Sequence, residues 1–189
     1  MLIPDKIFST PHHGGARPST KGVIIHSTRG GASTPALELQ GTANWFLNAA
    51  SKVSAHRAIG VNGEHYQFVP DDLMAWHGGP DNNLRYLSIE LVQPTAAHAF
   101  TDRQYEVAAG VIKQWAAKYN FGLNRLSILG HEETAQGKER GKTDPGAMFS
   151  WDKLLHLLFG EEPMRPDFRK IGDYEVAGLF LKTWDEQGG

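Results

Sequence analysis

The chain of 189 residues contains no cysteine. No disulfide framework can brace it, and the count marks no oxidising compartment. Thiolates are also removed as metal ligands, so any metal site must use histidines and carboxylates. No run of about 18 apolar residues occurs, so no transmembrane helix and no membrane insertion are expected. An excess of positive charge is missing too. Lys and Arg number 19 against 21 Asp and Glu, for a formal net charge of −2. A nucleic-acid binder usually shows a basic face, so that class is disfavoured. A short Lys138, Arg140, Lys142 cluster is the one basic concentration, and it reads as a solvated loop. Internal repeats and low-complexity segments are absent. Met1-Leu2-Ile3-Pro4-Asp5-Lys6 lacks a basic region followed by an apolar stretch, so synthesis in the cytoplasm without a signal peptide is expected.

What is present fits one ordinary domain. Hydrophobic residues make up 40% and charged residues 21%, close to an average soluble protein. Gly22-Val23-Ile24-Ile25-His26-Ser27 reads as a buried strand with His26 at its end. Thr34-Pro35 looks like an N-cap with proline at the first helical position, and a helix is expected through about Ala50. Ser54 to Gly60 and Glu64 to Val69 flank Asn62-Gly63, a hairpin signal because both turn positions need positive φ. Thr10 to Thr20, Pro70 to Leu84 and Glu132 to Ala147 read as loops. Arg85 to Val92 alternates as a strand. Thr101 and Gln104 form a capping box before Tyr105, Ala108, Ile112, Trp115 and Tyr119, spaced for a long amphipathic helix. Leu126 to Leu129 is a short strand ending near His131, and Ser150 caps a last core helix. Residues 1–160 thus form one domain, with 161–189 as a linker and short helical appendage. Strands alternating with helices predict an α/β fold, a mixed central β-sheet flanked by helices. A monomer or weak homodimer is expected.

Nine histidines are present. A catalytic zinc site usually has three protein ligands and one open position. Two imidazoles and a carboxylate would leave a net charge near +1, enough to acidify water and polarise a carbonyl. His26 and His131, each at a strand end, and Asp144 in Lys142-Thr143-Asp144-Pro145-Gly146 are candidates for a Zn2+ site. The spacing alone leaves the other reading open, in which each histidine is a hydrogen-bonded structural residue.

Six segments in order carry a further signal: Val23 to Thr28, Val53-Ser54-Ala55-His56, Ala75-Trp76-His77-Gly78-Gly79, Ile89-Glu90-Leu91, Gly130-His131-Glu132, and Gly141 to Gly146. Together they resemble the zinc-dependent N-acetylmuramoyl-L-alanine amidase family, which includes peptidoglycan-recognition proteins and small phage amidases. Thr10-Pro11-His12-His13 and Phe100 to Tyr105 look like the branch of anhydro-muropeptide amidases and related endolysins. The resemblance implies that His26, His131 and Asp144 are metal ligands, that Glu90 activates the attacking water, and that Lys142 steadies the oxyanion. It implies a peptidoglycan or muropeptide substrate, cut between the lactyl group and L-alanine. Lys142 and Asp144 are two residues apart, so an extended loop projects both to one face. Trp76 and His77 are expected to line the substrate groove, with a core Trp76 and a backbone-bonded His77 as the alternative. Arg57 and Arg85 are candidate clamps for an acidic stem peptide. Ala55 and Ser88 depart from the family pattern, where some members have a Tyr and many a Gly. Rival functions are a non-catalytic peptidoglycan-binding module and a zinc peptidase. Acting on the wall as a bacteriolytic endolysin or in the cytosol on recycled muropeptides are both open.

Overall fold

A computed structural model describes residues 2–160. The expected linker and appendage at 161–189 lie outside the described residues. Fourteen segments follow in order: β1 (Lys6–Ile7), β2 (His13–Ala16), β3 (Gly22–Ser27), α1 (Pro35–Leu47), β4 (Arg57–Ile59), β5 (His65–Gln67), β6 (Leu73–Ala75), α2 (Pro80–Arg85), β7 (Tyr86–Leu91), α3 (Asp102–Tyr119), β8 (Ile128–Gly130), a 3-10 turn (His131–Glu133), α4 (Ala135–Glu139) and α5 (Trp151–Phe159). The main sheet has the order β1-β5-β4-β7-β3-β8. It is mixed: β4 and β5 are antiparallel and the other pairs are parallel.

Alternation along the strands splits the sheet's two faces. Val23 and Ile25 of β3 and Leu87, Ile89 and Leu91 of β7 pack with α3 and α5. The spaced residues of α3 supply the other wall: Tyr105, Ala108, Ile112 and Trp115 are all buried there. Deleting a large side chain from such a layer typically costs about 2–5 kcal/mol. On the opposite face Leu39, Ala43 and Phe46 of α1 pack over Ala58, Phe68 and Val92. The capping box at Thr101 and Gln104 forms as expected, with both reciprocal bonds present.

Three local expectations differ from the structure. Where loops were expected at Thr10 to Thr20 and Pro70 to Leu84, β2 and β6 pair as a small antiparallel sheet. Its pairing is long-range, joining residues about 60 positions apart. The loops also hold the short helices α2 and α4, each too brief to show helical periodicity. At Asn62-Gly63 only the glycine has positive φ, at 87°. The connection is a wider Gly60–Glu64 loop closed by Gly60 N–H to Glu64 O at 2.8 Å. Leu126 is 86% exposed in a turn, and the last strand begins two residues later.

The sheet register positions the chemistry. His26 in β3 lies directly opposite Glu90 in β7. Gly130, the last residue of β8, pairs with Ile25, so His131 follows at the same edge. The carboxyl ends of three adjacent parallel strands therefore converge, where open α/β sheets commonly bind ligands.

Candidate active site

Three ligand-type atoms meet at this edge. His26 Nδ1 lies 3.1 Å from His131 Nδ1 and 3.1 Å from Asp144 Oδ2. His131 Nδ1 is also 3.1 Å from Asp144 Oδ2, which closes an equilateral triangle. A tetrahedral zinc with bonds near 2.0 Å has ligand–ligand edges of about 3.3 Å, so the triangle matches one tetrahedral face. Both histidines are buried and Asp144 partly so. Burial holds the His26 pKa down, against a smaller upward pull from Asp144. Burial alone would raise Asp144, but its contacts with the His131 and His26 rings outweigh it and hold the carboxyl well below its usual range. A neutral imidazole and an ionised carboxylate are the states a metal requires. The donor set fits a borderline cation such as zinc.

The proton on His26 is assigned by a relay. His77 Nε2 lies 3.2 Å from the backbone carbonyl of Tyr86, which can only accept, so that nitrogen carries the proton. His77 Nδ1 is then an acceptor, 3.0 Å from His26 Nε2. His26 donates to it and turns the lone pair of its own Nδ1 toward His131 and Asp144. A supporting partner of this kind fixes the tautomer and orientation of a ligating imidazole.

Glu90 faces the same space. Its Oε2 is buried and without a hydrogen-bond partner among the described residues. Burial, and next the charge of Asp144, push its pKa up to about 8, with Lys142 opposing. A cavity of about 750 Å³ opens over the triangle, lined by Glu90, Lys142 and Trp76 and by the apolar side chains of Leu37, Trp45 and Val53. Beyond Trp76, His77, His131 and Lys142 a second cavity of about 430 Å³ adjoins it.

Residues 15–147 match the family model described as N-acetylmuramoyl-L-alanine amidase. The chain belongs to the N-acetylmuramoyl-L-alanine amidase family. It is 36% identical over 114 residues to a 1,6-anhydro-N-acetylmuramyl-L-alanine amidase AmpD of Salmonella typhimurium strain SL1344, covering 57% of this chain and 58% of that protein. The match thus spans little more than half of that relative's length. Among solved structures, a selenomethionine AmpD is 28% identical with a TM-score of 0.66, covering 84% of this chain and 96% of that one. The Escherichia coli amidase AmiD, in complex with anhydro-N-acetylmuramic acid-L-Ala-D-γ-Glu-L-Lys, shares the fold at 22% identity and a TM-score of 0.61, with coverages of 79% and 61%.

Within this amidase fold the other residues singled out by sequence divide. Trp76 is 37% exposed and lines both cavities. His77 lines them too, but its ring nitrogens are taken by His26 and Tyr86, so the backbone-bonded reading holds for it. The stem-peptide reading of Arg57 is corrected. Its side chain is buried, paired with Asp71 Oδ1 at 2.5 Å and set 5.2 Å over the Trp115 ring. Arg85 is exposed at the end of α2 and lines neither cavity. His56 is structural: its Nδ1 sits 2.9 Å from Ser88 Oγ, which accounts for a serine where glycine is common, since the hydroxyl ties β7 to the start of β4.

Sequence reasoning missed Arg29. Its Nη1 donates to Thr143 Oγ1 at 2.7 Å, and its Nη2 to the carbonyls of Thr143 at 3.0 Å and Pro145 at 2.9 Å. Its Nε reaches Gln93 Oε1 at 3.2 Å. One guanidinium therefore joins the segments that follow β3 and β7 to the loop holding Lys142 and Asp144. Gly146 makes room for it, as a Cβ there would collide with Nη2 and with Thr143 O. An ammonium cannot reproduce this planar fork. Arg29→Lys is expected to weaken zinc binding about 10–100-fold, the usual cost of a lost supporting partner, with the melting temperature nearly unchanged. Competition with a chromophoric chelator measures it, and unaltered affinity would mean the loop holds itself.

Proposed function

We propose that the chain is a zinc-dependent N-acetylmuramoyl-L-alanine amidase, with residues 1–160 as its catalytic domain. It hydrolyses the amide between the lactyl group of muramic acid and L-alanine. The observation that carries this reading is the triangle of His26 Nδ1, His131 Nδ1 and Asp144 Oδ2, with Glu90 registered opposite His26. A zinc ion held by the three supplies Lewis-acid activation of water and of the amide carbonyl. Glu90 accepts the proton of the attacking water through its unpartnered carboxylate, then hands it to the departing nitrogen. Lys142 lines the cavity and offsets the negative charge that develops on the carbonyl oxygen. Water adds to the carbonyl carbon and the C–N bond breaks. A lactyl carboxylate and the free amine of L-alanine leave.

Retention of all three ligand types and of both charged groups argues against a module that binds without cutting. The AmpD relative is named for the 1,6-anhydro substrate, which makes soluble anhydro-muropeptide the first substrate to assay, with intact sacculi beside it. Addition of a strong chelator is expected to stop release of peptides bearing free N-terminal L-alanine, and zinc to restore it. Turnover indifferent to chelation, new reducing sugar ends, or cleavage within the peptide would each replace this reading.

A further inference from the structure

The larger and smaller cavities share the wall built from Trp76, His77, His131 and Lys142, so the candidate reaction centre lies where they meet. Their chemistry differs. The larger one includes three carboxyl side chains, Glu38, Glu90 and Asp144, and the apolar groups Leu37 and Trp45, which are 57% and 52% exposed. Its cations are Arg29, already committed to four hydrogen bonds, and Lys142, which lines both cavities. The smaller one is lined by Lys52, Arg140 and Lys142 and by no carboxylate. None of these three cations forms an ion pair among the described residues. The chain carries more acidic than basic side chains, yet Lys52 and Arg140 line the smaller cavity alone, and Lys142 stands on the wall it shares with the larger one. Two of them, Arg140 and Lys142, belong to the basic run that reads from sequence as a solvated loop.

We propose that the smaller cavity is an anion-binding arm in which Lys52 and Arg140 take the free carboxylates of the peptide leaving group, while the sugar lies over Leu37 and Trp45 in the larger one. The proposal rests on the amidase reading for the position of the cut bond. In the muropeptide held by AmiD, L-alanine is followed by a γ-linked D-glutamate, whose α-carboxylate is therefore free. That carboxylate sits one residue past the alanine, about 3.8 Å farther on from Cα to Cα. A substrate with its amide beside Lys142 thus places the carboxylate in the adjoining cavity only if the peptide runs toward Arg140. Opposite charge favours that orientation. The apolar face of a sugar ring suits an exposed indole.

The test uses L-Ala-γ-D-Glu-L-Lys and its α-carboxamide counterpart, free and attached to anhydro-muramic acid. Calorimetric binding of the free peptides to the full chain is expected to favour the acid about tenfold over the amide, with the preference shrinking as salt is raised. Lys52→Ala combined with Arg140→Ala is expected to erase that preference while leaving the amide's affinity unchanged. On the attached substrates the double variant is expected to raise KM for the acid with little change in kcat. Trp45→Ala should weaken both attached substrates equally. Equal loss for acid and amide in the double variant, or an acid preference that survives it, overturns the assignment. So does a change in acid preference produced by Trp45→Ala. Peptide binding without any turnover would instead remove the amidase reading and leave the anion site standing.

Discussion

Asp144→Ala is expected to yield a folded protein that no longer retains zinc and has no measurable amidase activity. The carboxylate is one corner of the triangle and the only anion in it, so its loss removes a ligand and the charge that draws a dication between two imidazoles. The remaining His26 and His131 nitrogens face each other at 3.1 Å, a contact that one of them must relieve by taking a proton or turning away. Affinity should fall well beyond the 10–100-fold that losing a supporting partner costs. His77→Phe, which removes the acceptor for His26 Nε2 but no ligand, is expected to stay inside that smaller range. Metal content by atomic emission after dialysis, beside a melting curve of each variant, separates loss of zinc from loss of fold. Full zinc occupancy in folded Asp144→Ala would refute the ligand assignment.

The melting curve has a pH signature of its own. Asp144 titrates well below its ordinary value in the folded protein, so its ionised form stabilises the metal-free fold above the ordinary pKa of 3.8. That contribution disappears as pH falls below this range, and Asp144→Ala lacks it throughout. The difference in melting temperature between wild type and variant should therefore be present at neutral pH and close in acid.

How much of this was legible in the sequence follows from which forces act locally. β3 and α3 were readable because their patterns are set by burial: six buried residues in a row for one, and i, i+3/4 spacing with a capping box for the other. Residue type and strand-end position made His26, His131 and Asp144 candidates, but only the resemblance of six short segments in order to one family gave Glu90 and Lys142 roles. Spacing could not show that residues 105 positions apart, His26 and His131, meet at 3.1 Å; strand register does that. The β2–β6 pair was hidden because its glycines carry no strand propensity and its partner is remote in sequence. Arg57 misled for a related reason. An arginine on a short strand reads as available charge, whereas here Asp71 and Trp115 enclose it. Arg29 gave no sign, since its importance lies in carbonyls supplied by a loop more than a hundred residues away.

Glu90→Gln should separate function from stability. Zinc binding is expected to persist, because Glu90 is not a corner of the triangle, while kcat falls about 10²–10⁴-fold, the usual scale of a lost acid–base group. The same change should stabilise the metal-free protein at neutral and alkaline pH. Burial raises the folded pKa of Glu90 from 4.5 to about 8, so the native state keeps this proton over a range where the unfolded chain has released it. Stability consequently declines as pH rises between those two values, and glutamine, with no proton to lose, escapes the decline. The melting temperature of metal-free Glu90→Gln should match wild type near pH 4, pull ahead through neutrality, and keep a constant lead above pH 8; each 1 kcal/mol is worth roughly 2–4 °C in a chain of this size. Zinc should narrow the lead, since a dication beside Glu90 favours its carboxylate. A variant that loses zinc together with activity would make Glu90 a ligand instead, and one with no alkaline gain in stability would mean its carboxyl is solvated.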